Sequence, residues 1–258
     1  MAYTSSNSWF YRIPPVTRNL ILINLVIWLA EYLFPSLGER IVDIFGLHYI
    51  SGIFSGGFNP AQIFTYMFVH DRHTIWHVAF NMFTLWMFGR VLENVWGARR
   101  YLFYYLVCGV GAALVQELVW ALTLHHDFVD AICHMRVGLT PEYVEAELAR
   151  NPEMYAGLLD QFKSTMVTVG ASGAVFGLLL AFGFIFPDMP LYLMFIPVPI
   201  KAKYMVVGYG VIEFFLGVSG RMSTVAHFAH LGGMLFGLAL LLYWRRRGSG
   251  PNRVNPFR

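Results

Sequence analysis

The stretch "TVGASGAVFG", residues 168–177, places the hydroxyl group of Ser172 among small residues at the start of an apolar run. A serine hydroxyl is a poor nucleophile unless a base lies beside it, and histidine is the usual base. The later stretch "AHFAHLGGMLFG" places His227 and His230 at the start of another apolar run. Ser172 paired with His230 fits nucleophilic catalysis.

A second polar group could serve the same chemistry. The stretch "HVAFN" places His77 and Asn81 four residues apart, on one face of a helix. Acyl transfer needs donors aimed at the developing oxyanion, and losing one donor typically costs about 10²- to 10³-fold in rate. His77, Asn81 and the backbone N–H of Ser172 are the predicted oxyanion-binding donors.

No carboxylate is expected to orient the base. Asp188 should lie at the far end of the apolar run that follows Ser172, and Glu213 should lie well inside its own apolar run. The sequence therefore predicts a dyad of Ser172 and His230 with no third member.

Composition identifies the surroundings of these residues. The chain has 258 residues, of which 57% are hydrophobic and 13% charged, against about 25% charged in a typical soluble domain. The net charge of +3 is small and scattered, which argues against a nucleic-acid partner. Cys108 and Cys133 form neither a disulfide framework nor a metal-binding spacing. We expect one all-α integral membrane domain, residues 1–258, in a lipid bilayer.

Apolar runs of membrane-spanning length predict a bundle of six transmembrane helices. A span needs about 20 mostly apolar residues, and the qualifying runs are 17–34, 74–92, 101–121, 167–186, 203–218 and 225–244. The fifth run is short. The segment 187–199 is apolar but broken by prolines, so we expect it at the interface and not across the membrane. The first run lacks a following cleavage site and is expected to be a retained anchor.

Charge placement predicts the orientation of the bundle. Short cytoplasmic loops are enriched in Lys and Arg. Here these residues lie at both termini, in the loop after the second run and in the loop before the fifth. Both termini, with a basic tail at 245–258, are therefore expected to be cytoplasmic. The acidic connection 122–166, between the third and fourth runs, is then an extracytoplasmic insertion, and its two capped segments "TPEYVEAELAR" and "NPEMYAGLLDQFK" predict two short helices. The Gly- and Phe-rich segment 36–73 is expected to form a hairpin in the headgroup region.

Glycine pairs would bring the polar groups together. With this orientation the second, fourth and sixth runs all pass inward from the outer face, and each has its polar residues near its beginning. Small residues four apart allow two helices to approach closely. Such pairs occur at Gly173 and Gly177 in the fourth run and at Gly233 and Gly237 in the sixth, so packing these two faces would join Ser172 to His230.

In combination, "HVAFN", "GASGAVFG" and "AHFAHLGGMLFG" resemble the rhomboid intramembrane serine proteases. The resemblance extends to "PPVTRNLILIN", "FTYMFVH" and "FGRVLENVWGARRYLFYYL", and so covers most of the chain except the outer insertion. It implies a rhomboid-like bundle that cleaves single-span membrane proteins near their outer ends, without a metal or cofactor. The fifth span and the loop 219–224 would form a mobile gate.

The resemblance also implies roles for individual residues. Ser172 would be the nucleophile, in a motif that begins at Gly170, and His230 would be the base with His227 only its neighbour. His77 and Asn81 would bind the oxyanion. Phe176 stands where the family often has a tyrosine stacked on the base, so the stacking is expected without the hydroxyl. Five glycines are expected to pack helices together at the site: Gly170, Gly173, Gly177, Gly233 and Gly237.

Three other interpretations stay open at this point. His70, His73 and His77 have a helical spacing that can bind zinc. A rhomboid-like membrane chaperone or binding protein could have the same fold without activity. A proton-coupled transporter could use Glu31 and Glu213 as relay groups, although no inverted repeat is visible. The six-span plan without a transit peptide suggests a bacterial plasma membrane.

Overall fold

The computed structural model describes residues 13–50, 57–135, 138–192, 198–219 and 226–247, and these residues are mostly helical. The helices are α1 Pro15–Leu33, α2 Pro35–Phe45, α3 Gln62–Thr65, α4 Ile75–Thr84, α5 Arg90–Trp96, α6 Ala98–Met135, α7 Pro141–Arg150, α8 Pro152–Ser164, α9 Ser172–Ile185, α10 Ala202–Ser219 and α11 His227–Arg246. The expected gate loop, apart from Ser219, and the tail beyond residue 247 lie outside the described residues.

Several of these helices are suited to a membrane. Within the described ranges, α1, α6, α10 and α11 are long and apolar enough to cross a bilayer, and α9 is a shorter apolar helix. The protein is thus an integral membrane protein, as its composition indicated. The total of six spans remains a prediction.

The second predicted span is one helical rod with a change of winding. Residues Leu85–Gly89 form a π-helical segment that joins α4 to α5. Gly97, at φ 77°, ends the rod in the left-handed region that glycine adopts without strain.

The start of α1 is tied to the end of this rod. The carboxylate of Glu93 on α5 accepts the backbone N–H groups of Val16 and Thr17 at 2.9 and 2.7 Å, and the Thr17 hydroxyl at 2.7 Å. The first N–H groups of a helix have no intrahelical acceptor and favour a negative charge. This buried contact fixes α1 against the rod that carries His77.

Helix α6 is longer than its apolar run predicts. It has 38 residues, or about 57 Å at 1.5 Å per residue, well beyond the roughly 30 Å of a bilayer core. Its last turns bury Phe128 and Val129 against Val144 and Leu148 of α7, which explains why the helix continues past residue 121. The predicted start of the insertion at 122 therefore lies inside α6.

The two short helices predicted in the insertion are present as α7 and α8. Both begin with proline, and the hydroxyl of Thr140 accepts the N–H of Tyr143 at the start of α7. Asn151, before α8, makes no such side-chain cap.

Two short strand pairs connect the helices. Strands β1 (Leu47–His48) and β2 (Val167–Thr168) are antiparallel, with Leu47 opposite Thr168. Strands β3 (Pro190–Tyr192) and β4 (Pro199–Lys201) pair in the proline-rich segment. The described residues of 36–73 do not form the expected hairpin, because α2 and α3 lie in that segment and β1 pairs with the residues that precede α9. Residues 51–56 lie outside the described residues.

Helices α6, α9 and α11 form the centre of the molecule. Tyr104 on α6 donates a hydrogen bond to the carbonyl of Gly177 on α9 at 3.0 Å, and its ring is fully buried. Cys108 on α6 lies against both Gly177 and Gly237 on α11. Because small residues face each other here, three backbones approach closely around one line of contact.

Candidate active site

Ser172 is the first residue of α9. The helix starts five residues later than the predicted run 167–186, because residues 167 and 168 form β2 and Gly170 donates its N–H to the carbonyl of Tyr66 at 2.9 Å. The N–H groups in the first turn of a helix lack intrahelical acceptors and form its positive end. Ser172 thus places its own N–H beside its hydroxyl.

The structure brings Ser172 and His230 together. The Ser172 Oγ and His230 Nε2 atoms are 2.8 Å apart, across 58 residues of sequence. His230 is in the first turn of α11, so both residues lie at the beginnings of helices that pack side by side. A hydroxyl and an imidazole at this distance have the geometry of a nucleophile and its base.

Four of the five predicted packing glycines explain this approach. A Cβ on Gly233 would collide with the carbonyl of Gly173, and one on Gly177 would lie 3.1 Å from the carbonyl of Gly233. Gly237 likewise leaves room for Tyr104 of α6. Larger residues at these positions would separate α9 from α11 and α6.

Gly170 has a different role from the one predicted. It precedes α9 and has a φ of 123°, a conformation that side chains rarely adopt. A Cβ here would lie 2.8 Å from His77 Nε2 and 3.7 Å from Ser172 Oγ. The residue therefore keeps the space between His77 and Ser172 open and does not pack two helices together.

The orientation of His77 suits donation into that space. Its Nδ1 accepts the backbone N–H of Asp71 at 3.3 Å. In a neutral imidazole one nitrogen accepts and the other carries the proton, so the proton of His77 lies on Nε2, toward Gly170. Asn81 is buried one turn further along α4, where one amide hydrogen binds the carbonyl of His77 at 2.8 Å.

Phe176 fixes the plane of the base. Its ring is stacked on that of His230, with centroids 4.2 Å apart and an interplanar angle of 4°. Tyr209 of α10 also contacts Phe176, and the two rings meet edge-on. The predicted stacking position is therefore occupied, without a hydroxyl.

Glu213 contradicts the expectation that no acid reaches the base. Its Oε2 lies 2.9 Å from His230 Nδ1 and 2.7 Å from His227 Nδ1. All three side chains are buried. A carboxylate thus stands behind His230, on the side opposite Ser172.

The helix directions explain why sequence reasoning missed this contact. Gly217 of α10 lies against Phe228, and Gly210 lies against Met234, so α10 and α11 run in opposite directions. Glu213 is then about 9 Å from the end of α10, and His230 is about 4.5 Å from the start of α11. The reach of a glutamate spans this difference in depth. One feature of the sequence could have indicated this contact: Glu213 lies near the end of the fifth apolar run, and His227 lies near the start of the sixth.

The histidines considered for zinc do not form one cluster. The rings of His70 and His77 are neighbours, with centroids 5.3 Å apart, whereas His73 is exposed beside Arg72. Within the part of the chain that the structure describes, the convergent metal-type ligands are instead Glu213, His227 and His230, whose ligand atoms lie within 4.8 Å of one another.

Comparison with known proteins agrees with this architecture. The family model described as the rhomboid domain matches residues 58–247. The chain belongs to the rhomboid family. The match includes every residue of the site, from His77 on α4 to His230 on α11.

A relative from Arabidopsis thaliana is also similar over most of the chain. It is named Rhomboid-like protein 11, chloroplastic, and is 29% identical over 243 residues. The alignment covers 86% of this chain and 62% of the relative, so the chain spans less than two thirds of that protein.

Proposed function

We propose that this rhomboid is an intramembrane serine endopeptidase that hydrolyses single-span membrane proteins near the outer membrane face. The observation that carries the proposal is the 2.8 Å contact between Ser172 Oγ and His230 Nε2, at the start of α9. Buried polar side chains are costly inside a membrane protein and gather at functional sites. Here the Ser172 hydroxyl lies beside His230, and His77 lies across the space at Gly170, so a nucleophile, a base and an oxyanion donor would be available.

Acylation follows from these positions. The Ser172 oxygen attacks the scissile carbonyl carbon, and the hydroxyl proton passes to His230 Nε2. The oxyanion receives hydrogen bonds from the Ser172 N–H, the His77 Nε2–H and the free amide hydrogen of Asn81. As the C–N bond breaks, His230 returns the proton to the leaving amine, and an acyl ester remains on Ser172.

Deacylation repeats the sequence with water. His230 takes a proton from the attacking water, the oxyanion forms again in the same place, and the Ser172 oxygen recovers the proton when the ester bond breaks. No step needs a metal or a cofactor. The substrate helix must unwind locally, because a helix hides its carbonyls in its own hydrogen bonds.

The proposed topology supplies water and substrate. We infer six spans with both termini in the cytoplasm, so that the starts of α9 and α11 open to the extracytoplasmic side. The charge distribution supports this orientation. Helix α10 would form the side through which a substrate enters, and a bacterial plasma membrane is the proposed location.

The test uses purified protein in lipid vesicles with a single-span substrate that has small residues near its outer end. We expect cleavage by the wild type, and a loss of at least about 10³-fold in both Ser172→Ala and His230→Ala, because each removes half of the nucleophile–base pair. Product analysis by mass spectrometry would locate the cleaved bond.

Matched variants separate catalysis from folding. Ser164→Ala, which alters an exposed hydroxyl at the end of α8, should leave cleavage unchanged. A wild type that binds several such substrates and cleaves none would overturn the proposal in favour of a rhomboid-like binding protein. Cleavage by Ser172→Ala at the wild-type rate would also overturn it.

A further inference from the structure

The carboxylate of Glu213 has no part in a serine–histidine dyad, yet it is buried against the base. The ion pairs found for it among the described residues are with His227 and His230. Burying a carboxylate is costly unless donors surround it. The two histidine N–H groups supply this compensation, so the three side chains form one hydrogen-bonded unit.

This unit determines which nitrogen of His230 carries the proton. The Ser172 hydroxyl can transfer its proton only if His230 Nε2 is an acceptor, which requires the proton of the neutral ring to lie on Nδ1. Glu213 Oε2, at 2.9 Å, is an acceptor at that atom. Since an ionised carboxylate only accepts hydrogen bonds, it selects the tautomer that catalysis needs.

The same carboxylate would stabilise the charged base. When His230 takes the serine proton it becomes a cation in a buried setting, where nearby charges act strongly. The titratable groups that face it are His227 on its own helix, His77 on α4 and Glu213 on α10. Of these, Glu213 is the one that can carry negative charge.

His227 keeps the carboxylate in place. Its Nδ1 lies 2.7 Å from the same oxygen, Oε2, and its ring stands at 88° to that of His230. The carboxylate is therefore held from two directions, and its position does not depend on His230 alone.

We propose that Glu213 is a positioning residue that fixes the tautomer of His230 and stabilises its protonated form, with His227 as its anchor. This inference rests on the proposed peptidase function. Because Glu213 belongs to α10, the readiness of the base depends on how this helix packs against α11.

The test compares Glu213→Gln and Glu213→Asp with the wild type in the vesicle assay. A glutamine can donate to Nδ1 and favour the wrong tautomer, and the equivalent amide replacement in a serine protease triad costs about 10⁴-fold in kcat. We expect Glu213→Gln to lower kcat by about 10²-fold or more with little change in KM. Glu213→Asp, with the charge retained on a shorter arm, should recover part of the loss.

A pH profile distinguishes positioning from a structural role. Removing the negative charge makes protonated His230 less stable, so the acid limb of the kcat profile should move to lower pH in Glu213→Gln. Glu117→Gln is the matched control, since Glu117 is a buried acid on α6 whose carboxylate accepts the backbone N–H of Ile50. It should leave kcat and the limb unchanged.

Each outcome decides the matter. If the wild type cleaves, Ser172→Ala does not, and Glu213→Gln retains both the wild-type kcat and acid limb, the inference is overturned while the peptidase proposal stands. If Glu213→Gln fails to fold, Glu213→Ala replaces it, and a wild-type kcat and acid limb there overturn the inference. If a chelator abolishes cleavage and Zn²⁺ restores it, Glu213, His227 and His230 are metal ligands and the positioning role is wrong.

Discussion

The base is constrained on three sides by individual residues. Ser172 lies at one nitrogen of His230, Glu213 lies at the other, and Phe176 covers the face of the ring at 4.2 Å. Stacking and hydrogen bonding act in perpendicular directions, so together they fix both the plane of the ring and its rotation. An imidazole held in this way needs little rearrangement before it accepts a proton.

A buried histidine next to His77 is expected to make the stability of the folded protein depend on pH. His70 lies in the loop before α4, where its ring is buried. Burial, followed by the neighbouring His77, lowers the pKa of His70 from 6.5 to about 3. His70 thus stays uncharged beside His77 at neutral pH.

The expected consequence is a loss of stability in mild acid. Between pH 6.5 and about 3 the unfolded chain binds a proton at His70 and the folded protein does not, so the free energy of unfolding falls as the pH falls. The slope from this group is at most about 1.4 kcal/mol per pH unit. Measured by unfolding in detergent from pH 7 to 4.5, His70→Gln should be less sensitive to pH than the wild type.

A second histidine controls this measurement. His126 is in the last third of α6, and its side chain is 84% exposed, so His126→Gln should keep the wild-type pH dependence. An equal slope in His70→Gln and the wild type would contradict the assignment.

At the scale of elements, the site depends on the close approach of α9 and α11. Helix pairs in membranes gain stability from packing that small residues permit. Gly173 and Gly233 bring the two backbones together within two turns of Ser172 and His230. The distance between the reacting atoms is therefore set mainly by the two helices and only secondarily by side-chain rotamers.

Gly233→Val should test this dependence. The new side chain would collide with the carbonyl of Gly173, and overpacking typically costs about 1–3 kcal/mol. A displacement of about 1 Å between reacting groups can cost roughly 10²-fold in rate. We expect cleavage to fall by about that factor while the protein still inserts into membranes and resists unfolding in mild detergent.

The matched control is Gly208→Val. A Cβ on Gly208 of α10 meets no atom within 4 Å, so the same substitution there should leave cleavage within about twofold of the wild type. Wild-type activity in Gly233→Val would show that the approach of α9 and α11 is not limiting.

At the scale of the whole molecule, the site lies at one end of the bundle and the arginines that end α11 lie at the other. The starts of α9 and α11 hold the site, and the extended end of α6 continues with α7 and α8 as a small cluster of helices around Phe128 and Val144. Arg245 and Arg246 close the far end of α11. This polarity supports an extracytoplasmic site and cytoplasmic termini.

Labelling with a membrane-impermeant maleimide would test the orientation. With Cys133 replaced by serine, and Cys108 fully buried, a cysteine introduced by His126→Cys should be labelled in intact cells. A cysteine introduced by Ser249→Cys, in the basic tail, should be labelled only after the cells are permeabilised. The reverse pattern would invert the topology and place the site on the cytoplasmic side.

The sequence by itself was sufficient for the membrane class, for most of the long helices and for the contact of Ser172 with His230. These features follow from local patterns: apolar runs of a definite length, and glycines spaced so that only certain helix faces can meet. The end of α6 and the start of α9 could not be predicted from the apolar runs. Burial of Phe128 extends α6 beyond its run, and pairing of β2 delays the start of α9.

Only the tertiary structure decided what stands behind the base. Whether Glu213 reaches His230 depends on the direction, depth and rotation of α10 against α11, and hydropathy is insensitive to rotation when most sides of a helix are apolar. The conformation of Gly170 and the proton position on His77 likewise depend on contacts with distant segments. Local patterns can name the reacting atoms, but the groups that orient them are chosen by how the helices pack.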